Sequence, residues 1–268
     1  VYTVVATDEN GYSISISVEI TEADQMTITE SHSNYTGFGV SCNGATDGSI
    51  DVTVEGGTGN YTYAWSNGAF DGSTEEDLSG VPAGVYTVVA TDENGCSVST
   101  VVIITESDAM TISATLSDYT GYGVSCNGAT DGSIDVTVEG GTGVYTYDWL
   151  HGADTEDVSG LGAGTYSVTA TDENGCSVSI SVEITESDAM TISETHSDYT
   201  GFGVSGDGAT DGSIDVTVEG GTGIYTYAWS NGADTEDVSG LGAGTYSVTA
   251  TDENGYSAFI EVEITESD

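Results

Sequence analysis

One nineteen-residue stretch restricts this chain more than any other feature. "SCNGATDGSIDVTVEGGTG" runs from Ser41 to Gly59 and returns unchanged from Ser125 to Gly143. From Ser205 it reads "SGDGATDGSIDVTVEGGTG", with the cysteine replaced. "TDENG" begins at Thr7, Thr91, Thr171 and Thr251, spacings of 84, 80 and 80 residues. The four extra residues of the first interval fall in "AFDGSTEED" (Ala69–Asp77), where later copies read "ADTED". A period of this size means one module written several times, and it overrides any domain count taken from length. The expected modules are Gln25–Asp108, Ala109–Asp188 and Ala189–Asp268, with residues 1–24 matching the end of a preceding copy. The chain therefore reads as a window from a longer array.

Within a module the apolar residues alternate. In the second, Ile134, Val136 and Val138 fall on one face of "GSIDVTVEGG", opposite Asp135, Thr137 and Glu139. Tyr145, Tyr147 and Trp149 alternate next, then Tyr166, Val168 and Ala170, then Val178, Ile180, Val182 and Ile184. Period two in β-branched and aromatic residues predicts half-buried strands. Gly-Gly, Asn-Gly and Asp-Gly pairs between the runs supply turns. No run has a helical period. The expected class is all-β: tandem head-to-tail β-sandwich repeats, each core anchored by one tryptophan (Trp65, Trp149 or Trp229). Modules meet through "ITESDAMTIS", without proline or a flexible spacer, which predicts a semi-rigid rod.

The charge excludes several function classes. The chain has 45 acidic residues and neither lysine nor arginine, a formal charge of −45. Nucleic acid is excluded as a partner because its binding needs cationic side chains to displace counterions. No stretch approaches the ~20 apolar residues of a membrane span, and no signal peptide is visible in a chain that starts inside a repeat.

"VSCNGATDGSIDVTVEGGTGVYTYDW" and "LSGVPAGVYTVVATDENGCSVS" resemble the SprB repeat of Bacteroidota surface proteins. More distantly they resemble PKD-type immunoglobulin-like modules. The resemblance covers essentially the whole chain. It implies an exported, very long surface adhesin, extracellular and at the cell surface, of the kind associated with gliding motility and type IX secretion. It implies no catalysis and fixes no ligand.

The cysteines are Cys42, Cys96, Cys126 and Cys176; the third module has Gly206 and Tyr256 at the two positions. Joint loss in one module is what bridges within modules predict, since an orphan thiol is a liability in an oxidising compartment. The expected pairs are thus Cys42–Cys96 and Cys126–Cys176. A seven-strand immunoglobulin order would put the two cysteines of one module at opposite poles, and the joint loss is weighed above that analogy. Four reduced cysteines are the alternative; without a CxxC spacing or a neighbouring histidine, zinc is disfavoured.

Such bridges would gather carboxylates at one pole. In the second module these are Asp131, Asp135, Asp172 and Glu173, joined by Glu106 and Asp108 of the incoming linker. Asp47, Asp92 and Glu93 correspond in the first module; Asp211, Asp252, Glu253, Glu186 and Asp188 correspond in the third. Two readings stay open: ordered Ca2+, which takes six to eight oxygens, or a solvated acidic coat. His32, His151 and His196 lack a recurring nucleophile and read as loop histidines, so no enzyme is expected. Tyr35, Tyr119 and Tyr199, with Phe38, Tyr122 and Phe202 after them, suit either polysaccharide stacking or packing at a sandwich edge. Two functions follow: an adhesin stalk whose partners are its own neighbouring repeats, or a structural subunit of a filament or sheath with lateral self-association.

Overall fold

The computed structural model describes residues 1–67 and 72–267. Part of the Ala69–Asp77 insertion lies outside them. The described chain contains strands and no helix. A hairpin of β1 (Tyr2–Thr7) and β2 (Ser13–Val18) comes first. The first repeat follows with β3 (Thr27–His32), β4 (Gly48–Glu55), β5 (Thr62–Ser66), β6 (Leu78–Val81), β7 (Gly84–Thr91) and β8 (Ser97–Ile104). The second has β9 (Thr111–Leu116), β10 (Gly132–Glu139), β11 (Thr146–Trp149), β12 (Val158–Leu161), β13 (Gly164–Thr171) and β14 (Ser177–Ile184). The third repeats the order as β15 (Thr191–His196), β16 (Gly212–Glu219), β17 (Thr226–Trp229), β18 (Val238–Leu241), β19 (Gly244–Thr251) and β20 (Ser257–Ile264).

Each repeat is a six-stranded sandwich of two antiparallel three-stranded sheets, ordered β3-β4-β6 and β5-β7-β8 in the first copy. Alternation places the core. On β10, Ile134 and Val136 are buried while Asp135 and Thr137 face outward. Across from them Trp149, Val168 and Ile184 come from the other sheet, and the cluster is one continuous core. The indole N–H of Trp149 donates to the Thr155 carbonyl at 2.8 Å, so the largest core side chain leaves no orphan donor. Trp65 and Trp229 do the same to Glu75 and Thr235. The all-β sandwich expected from the pattern is the fold observed. The short strands β6, β12 and β18 carry too few residues for an alternating signature, and the sequence reading did not separate them.

By contacts the chain falls into two compact units. One comprises residues 1–110, 140–144 and 172–176; the other comprises 111–139, 145–171 and 177–268.

The first repeat, which lies wholly in the first unit, shows why its ends differ. The turn after β4 and the β7–β8 turn share one pole, where Thr58 meets Asp92. The long loop between β3 and β4 lies at the other, where the N–H groups of Gly39 and Val40 donate to the carbonyl of Thr105 just past β8. β8 has eight residues, so about 26 Å separates the poles at ~3.3 Å per residue.

Candidate functional site

The turn pole is organised by the aspartate of "TDENG". Asp172 is 5% exposed. Its Oδ2 accepts the N–H and hydroxyl of Thr142 at 2.9 and 3.0 Å, and its Oδ1 accepts the N–H groups of Asn174 and Cys176 at 3.0 and 2.8 Å. Asp92 makes the same bonds to Thr58, Asn94 and Cys96. Burial pushes the Asp92 carboxyl up, but those donors together hold it below its ordinary value. Gly143 beside this clamp has φ of +69°, and a Cβ there would stand 2.2 Å from Glu173 Oε2. The Glu173 carboxylate could swing away, but its Cβ would stand 2.7 Å from the new one, so this and the left-handed backbone favour glycine.

The loop pole is equally ordered. Tyr35 and Phe38 exchange backbone hydrogen bonds at 2.7 and 3.1 Å around Thr36, which holds φ of 51°. A β-branched residue in the left-handed region is strained, and such strain persists where surroundings over-determine it, often at sites of function. Asp47 accepts the N–H of Ser41 at 3.0 Å. The Ser41 hydroxyl and N–H hold the Asp47 carboxyl below 3.8, and Ser125 and Ser205 do the same for Asp131 and Asp211. The outgoing linker is pinned beneath the loop: Glu106 accepts the Gly44 N–H at 2.6 Å and the Ser107 carbonyl accepts the Asn43 amide at 2.9 Å. Asp108 lies by the next turn pole, its carbonyl accepting the Gly141 N–H at 2.9 Å.

Within the first unit these two poles meet, and the meeting is the candidate site. Asn174 donates its amide to the carbonyls of Tyr35 and Ser41 at 3.2 and 3.3 Å, while the hydroxyl of the strained Thr36 donates to Asn174 Oδ1 at 2.6 Å. Beside them Cys42 and Cys176 form a disulfide with Cα atoms 5.8 Å apart. Within the second unit the same joint recurs. Asn254 donates to the carbonyls of Tyr119 and Ser125 and to the Thr120 hydroxyl, at 3.4, 2.9 and 3.2 Å. There Tyr256 takes the place that Cys176 has in the first joint, and Cys126 is unbridged.

The expected bridges within repeats are thus corrected. The bond found joins Cys42 of one repeat to Cys176 of the next, and Cys96 and Cys126 are free thiols. A disulfide needs Cα atoms within about 7 Å, and Cys42 and Cys96 stand at opposite poles with the length of β8 between them. The immunoglobulin analogy set aside on this point carried the right geometry. Joint loss in the third repeat misled because the partner of each cysteine belongs to the adjacent copy.

The proposed cation ligands divide between loop poles and turn poles, since no bridge clasps the two turns of one repeat. Asp47, Asp131 and Asp211 bind serine N–H groups of the loop pole; Asp92, Asp172 and Asp252 are the turn clamps. Glu106 and Glu186 cap loop N–H groups at 2.6 Å. Asp108 and Asp188 contribute carbonyls to the linkers, Glu93 accepts from Asn60, and Glu173 and Glu253 overlie Gly143 and Gly223. Asp135 is exposed on β10. Among the described residues no three His, Cys, Asp or Glu side chains are placed to hold a metal ion. His32 and His196 pair with Glu30 and Glu194 on exposed strands, and His151 packs edge-on against Trp149 and Tyr166. Tyr35 and Tyr119 are half-buried at the joints, their hydroxyls donating to Asp47 and Asp131 carbonyls at 3.4 and 3.3 Å. Sequence reasoning missed Asn174, Asn254 and Thr36; recurrence of "YTG" and "DENG" at a fixed offset was their only signal.

Sandwiches of one sequence, joined pole to pole, define a tandem β-sandwich repeat protein. Each copy carries a match to the SprB repeat family: that family's model matches residues 40–70, 124–154 and 207–234. No curated protein matches the chain. Among solved structures, the N-terminal eight immunoglobulin domains of Down syndrome cell adhesion molecule align at 10% identity and TM-score 0.31, over 98% of this chain and 50% of that one. This chain therefore spans about half the length of that structure. A Ca2+-stabilised adhesin by which an Antarctic bacterium binds ice aligns at 17% identity and TM-score 0.33, over 98% of this chain and 80% of that one. The protocadherin γB4 extracellular domain aligns at 10% and 0.35, over 100% and 46%.

Proposed function

We propose that this chain is part of the extracellular stalk of a long surface adhesin, of the type serving gliding motility and secreted by the type IX route. Its folding module is the repeat at 25–108, 109–188 and 189–268, with 1–24 closing a preceding copy. The observation that carries the reading is the joint: the same asparagine-to-loop contact recurs in both compact units, with a pinned linker beside it. A stalk needs each module held to the next, and the joint supplies that with residues present in every copy. The absence of any lysine or arginine suits a chain exposed to trypsin-like proteases.

Two experiments test this. Antibody raised against the chain should label intact cells of the source organism; labelling only after lysis overturns the surface assignment. Electron micrographs should show single strands. Regular bundles or helical symmetry would favour the filament or sheath subunit instead. Calcium has no role in this proposal. What supports an acidic coat over bound Ca2+ is that the buried aspartates already accept backbone and hydroxyl donors.

A further inference from the structure

The first repeat differs from the later copies on one surface, the outer face of its β5-β7-β8 sheet. Val85, Val89, Val101 and Ile103 point outward there and are 56, 36, 56 and 58% exposed. They adjoin one another. Val85 lies opposite Ile103, Thr87 opposite Val101, and Val89 stands between Ser99 of β8 and Ala64 of β5. The other outward residues of these three strands are alanine, serine or threonine. The face therefore carries no charge, in a chain with 45 acidic residues. At the four aliphatic positions the second repeat has Thr165, Thr169, Ser181 and Glu183, and the third has Thr245, Thr249, Glu261 and Glu263. Asp148 puts a further carboxylate on the face of the second repeat.

Folding does not account for these side chains, because the same sandwich forms with threonine, serine and glutamate in their places. The joints do not cover them either. The second repeat is engaged at its turn pole through Asn174 and at its loop pole through Ser125. Its counterparts Thr165, Ser181 and Glu183 are exposed all the same. This face stays open when both poles are engaged, so its exposure in the first repeat owes nothing to a neighbour. A contiguous apolar patch left in water is the mark of a contact surface.

We propose that the outer β5-β7-β8 face of the first repeat pairs with the same face of a second copy about a two-fold axis. Charge selects the occupant. A carboxylate buried against valine is costly unless paired, and the chain has no lysine or arginine to pair it. Of the three equivalent outer faces, the first repeat's alone brings no carboxylate. It therefore matches itself. Two such sheets can stack face to face about 10 Å apart with their side chains interdigitated. Three strands of eight residues or fewer offer roughly 400 Å2 per copy, short of the ~1,200 Å2 total of a stable complex. The pair is accordingly weak and reversible. An isologous contact closes at two chains, so it builds neither bundles nor helical arrays, and at the dilution of micrographs strands stay single. The inference goes beyond the stalk reading and does not depend on it.

Sedimentation and methyl NMR of the whole chain test the pairing. From about 10 μM to 1 mM, the range in which so small a contact dissociates, the average mass should rise toward that of a dimer. Added salt should strengthen the association, since it screens the repulsion between acidic copies. The methyl signals of Val85, Val89, Val101 and Ile103 should shift with concentration. Ile103→Glu installs the residue that both later repeats carry at this position, so the sandwich tolerates it. It enters a two-fold contact twice and should raise the dissociation constant about tenfold or more. Val101→Ser should do the same more mildly. Leu150→Ser is the control: Leu150 is 88% exposed on another repeat, where the other copies have Ser66 and Ser230. It should leave the association unchanged, and an intact Cys42–Cys176 bond checks the fold of each variant. A chain that stays monomeric with those methyl signals unmoved would assign the face to some other apolar partner and overturn the proposal. Shifts confined to the β1–β2 hairpin, growth past the dimer, or equal effects of Ile103→Glu and Leu150→Ser would overturn it too. None of these outcomes bears on surface display, which antibody labelling tests separately.

Discussion

Asp172 does at residue scale what a calcium ion would do for a mobile turn: it gathers donors from two turns onto one centre. Replacing it by alanine orphans the buried N–H of Thr142 together with those of Asn174 and Cys176. At roughly 1 kcal/mol or more per bond, Asp172→Ala should destabilise the second repeat by about 2–4 kcal/mol. Calorimetry should show one lowered transition; an unchanged profile would mean the clamp is dispensable. Ser107 predicts the opposite sign. It is 3% exposed and its hydroxyl has no hydrogen-bond partner, as is true of Ser187. Ser107→Ala removes a buried orphan and should leave stability equal or raised by up to about 1 kcal/mol. A loss on melting would instead show that an ordered water was being held. The loop aspartates carry a pH dependence. Asp131 titrates below its ordinary value of 3.8 because the Ser125 hydroxyl and N–H favour the carboxylate. A depressed native value gives stability that is present above the ordinary value and is lost as pH falls through the native one. Carboxyl carbon shifts should report Asp131, Asp47 and Asp211 still ionised near pH 3.8, with loop opening only below it; ordinary titration in all three would refute the assignment.

Between elements, the joint has a fixed part and an optional part. Asparagine, threonine and the loop carbonyls occur in both joints, while the disulfide occurs only where cysteines face each other across adjacent repeats. Tyr256→Cys should therefore bond the introduced cysteine to Cys126 under mild oxidation. The free thiols would fall from the two now present, Cys96 and Cys126, to Cys96 alone. Peptide mapping that finds the thiol at position 256 bonded to Cys96, or still reduced, would contradict the equivalence of the two joints.

For the whole molecule the question is charge. A formal charge of −45 without a cationic residue leaves every carboxylate to be balanced by hydrogen bonds, water and counterions. Screening reaches about 8 Å at physiological salt, so monovalent ions suffice for a dispersed coat. Chelation with EDTA should leave the melting temperature unchanged, and removing salt should lower it. A fall on chelation alone would reinstate calcium at the linkers.

Much of this was legible in the residues. The 80-residue period, the alternation at Ile134, Val136 and Val138, and the single tryptophan per copy are local facts, and side-chain period two leaves a folded chain little choice but sheets with one buried face. The partners of the cysteines and carboxylates were another matter. Whether Cys42 reaches Cys96 or Cys176 depends on strand direction and strand length, and the eight residues of β8 are enough to put Cys96 out of range. The acidic residues divide the same way: their number is written in the sequence, but Asp172 facing Thr142 and Glu106 facing Gly44 are results of which turns share a pole. Composition could count charges and thiols, and only the packed sandwich, by fixing two poles and the order in which they meet, decided what each one touches.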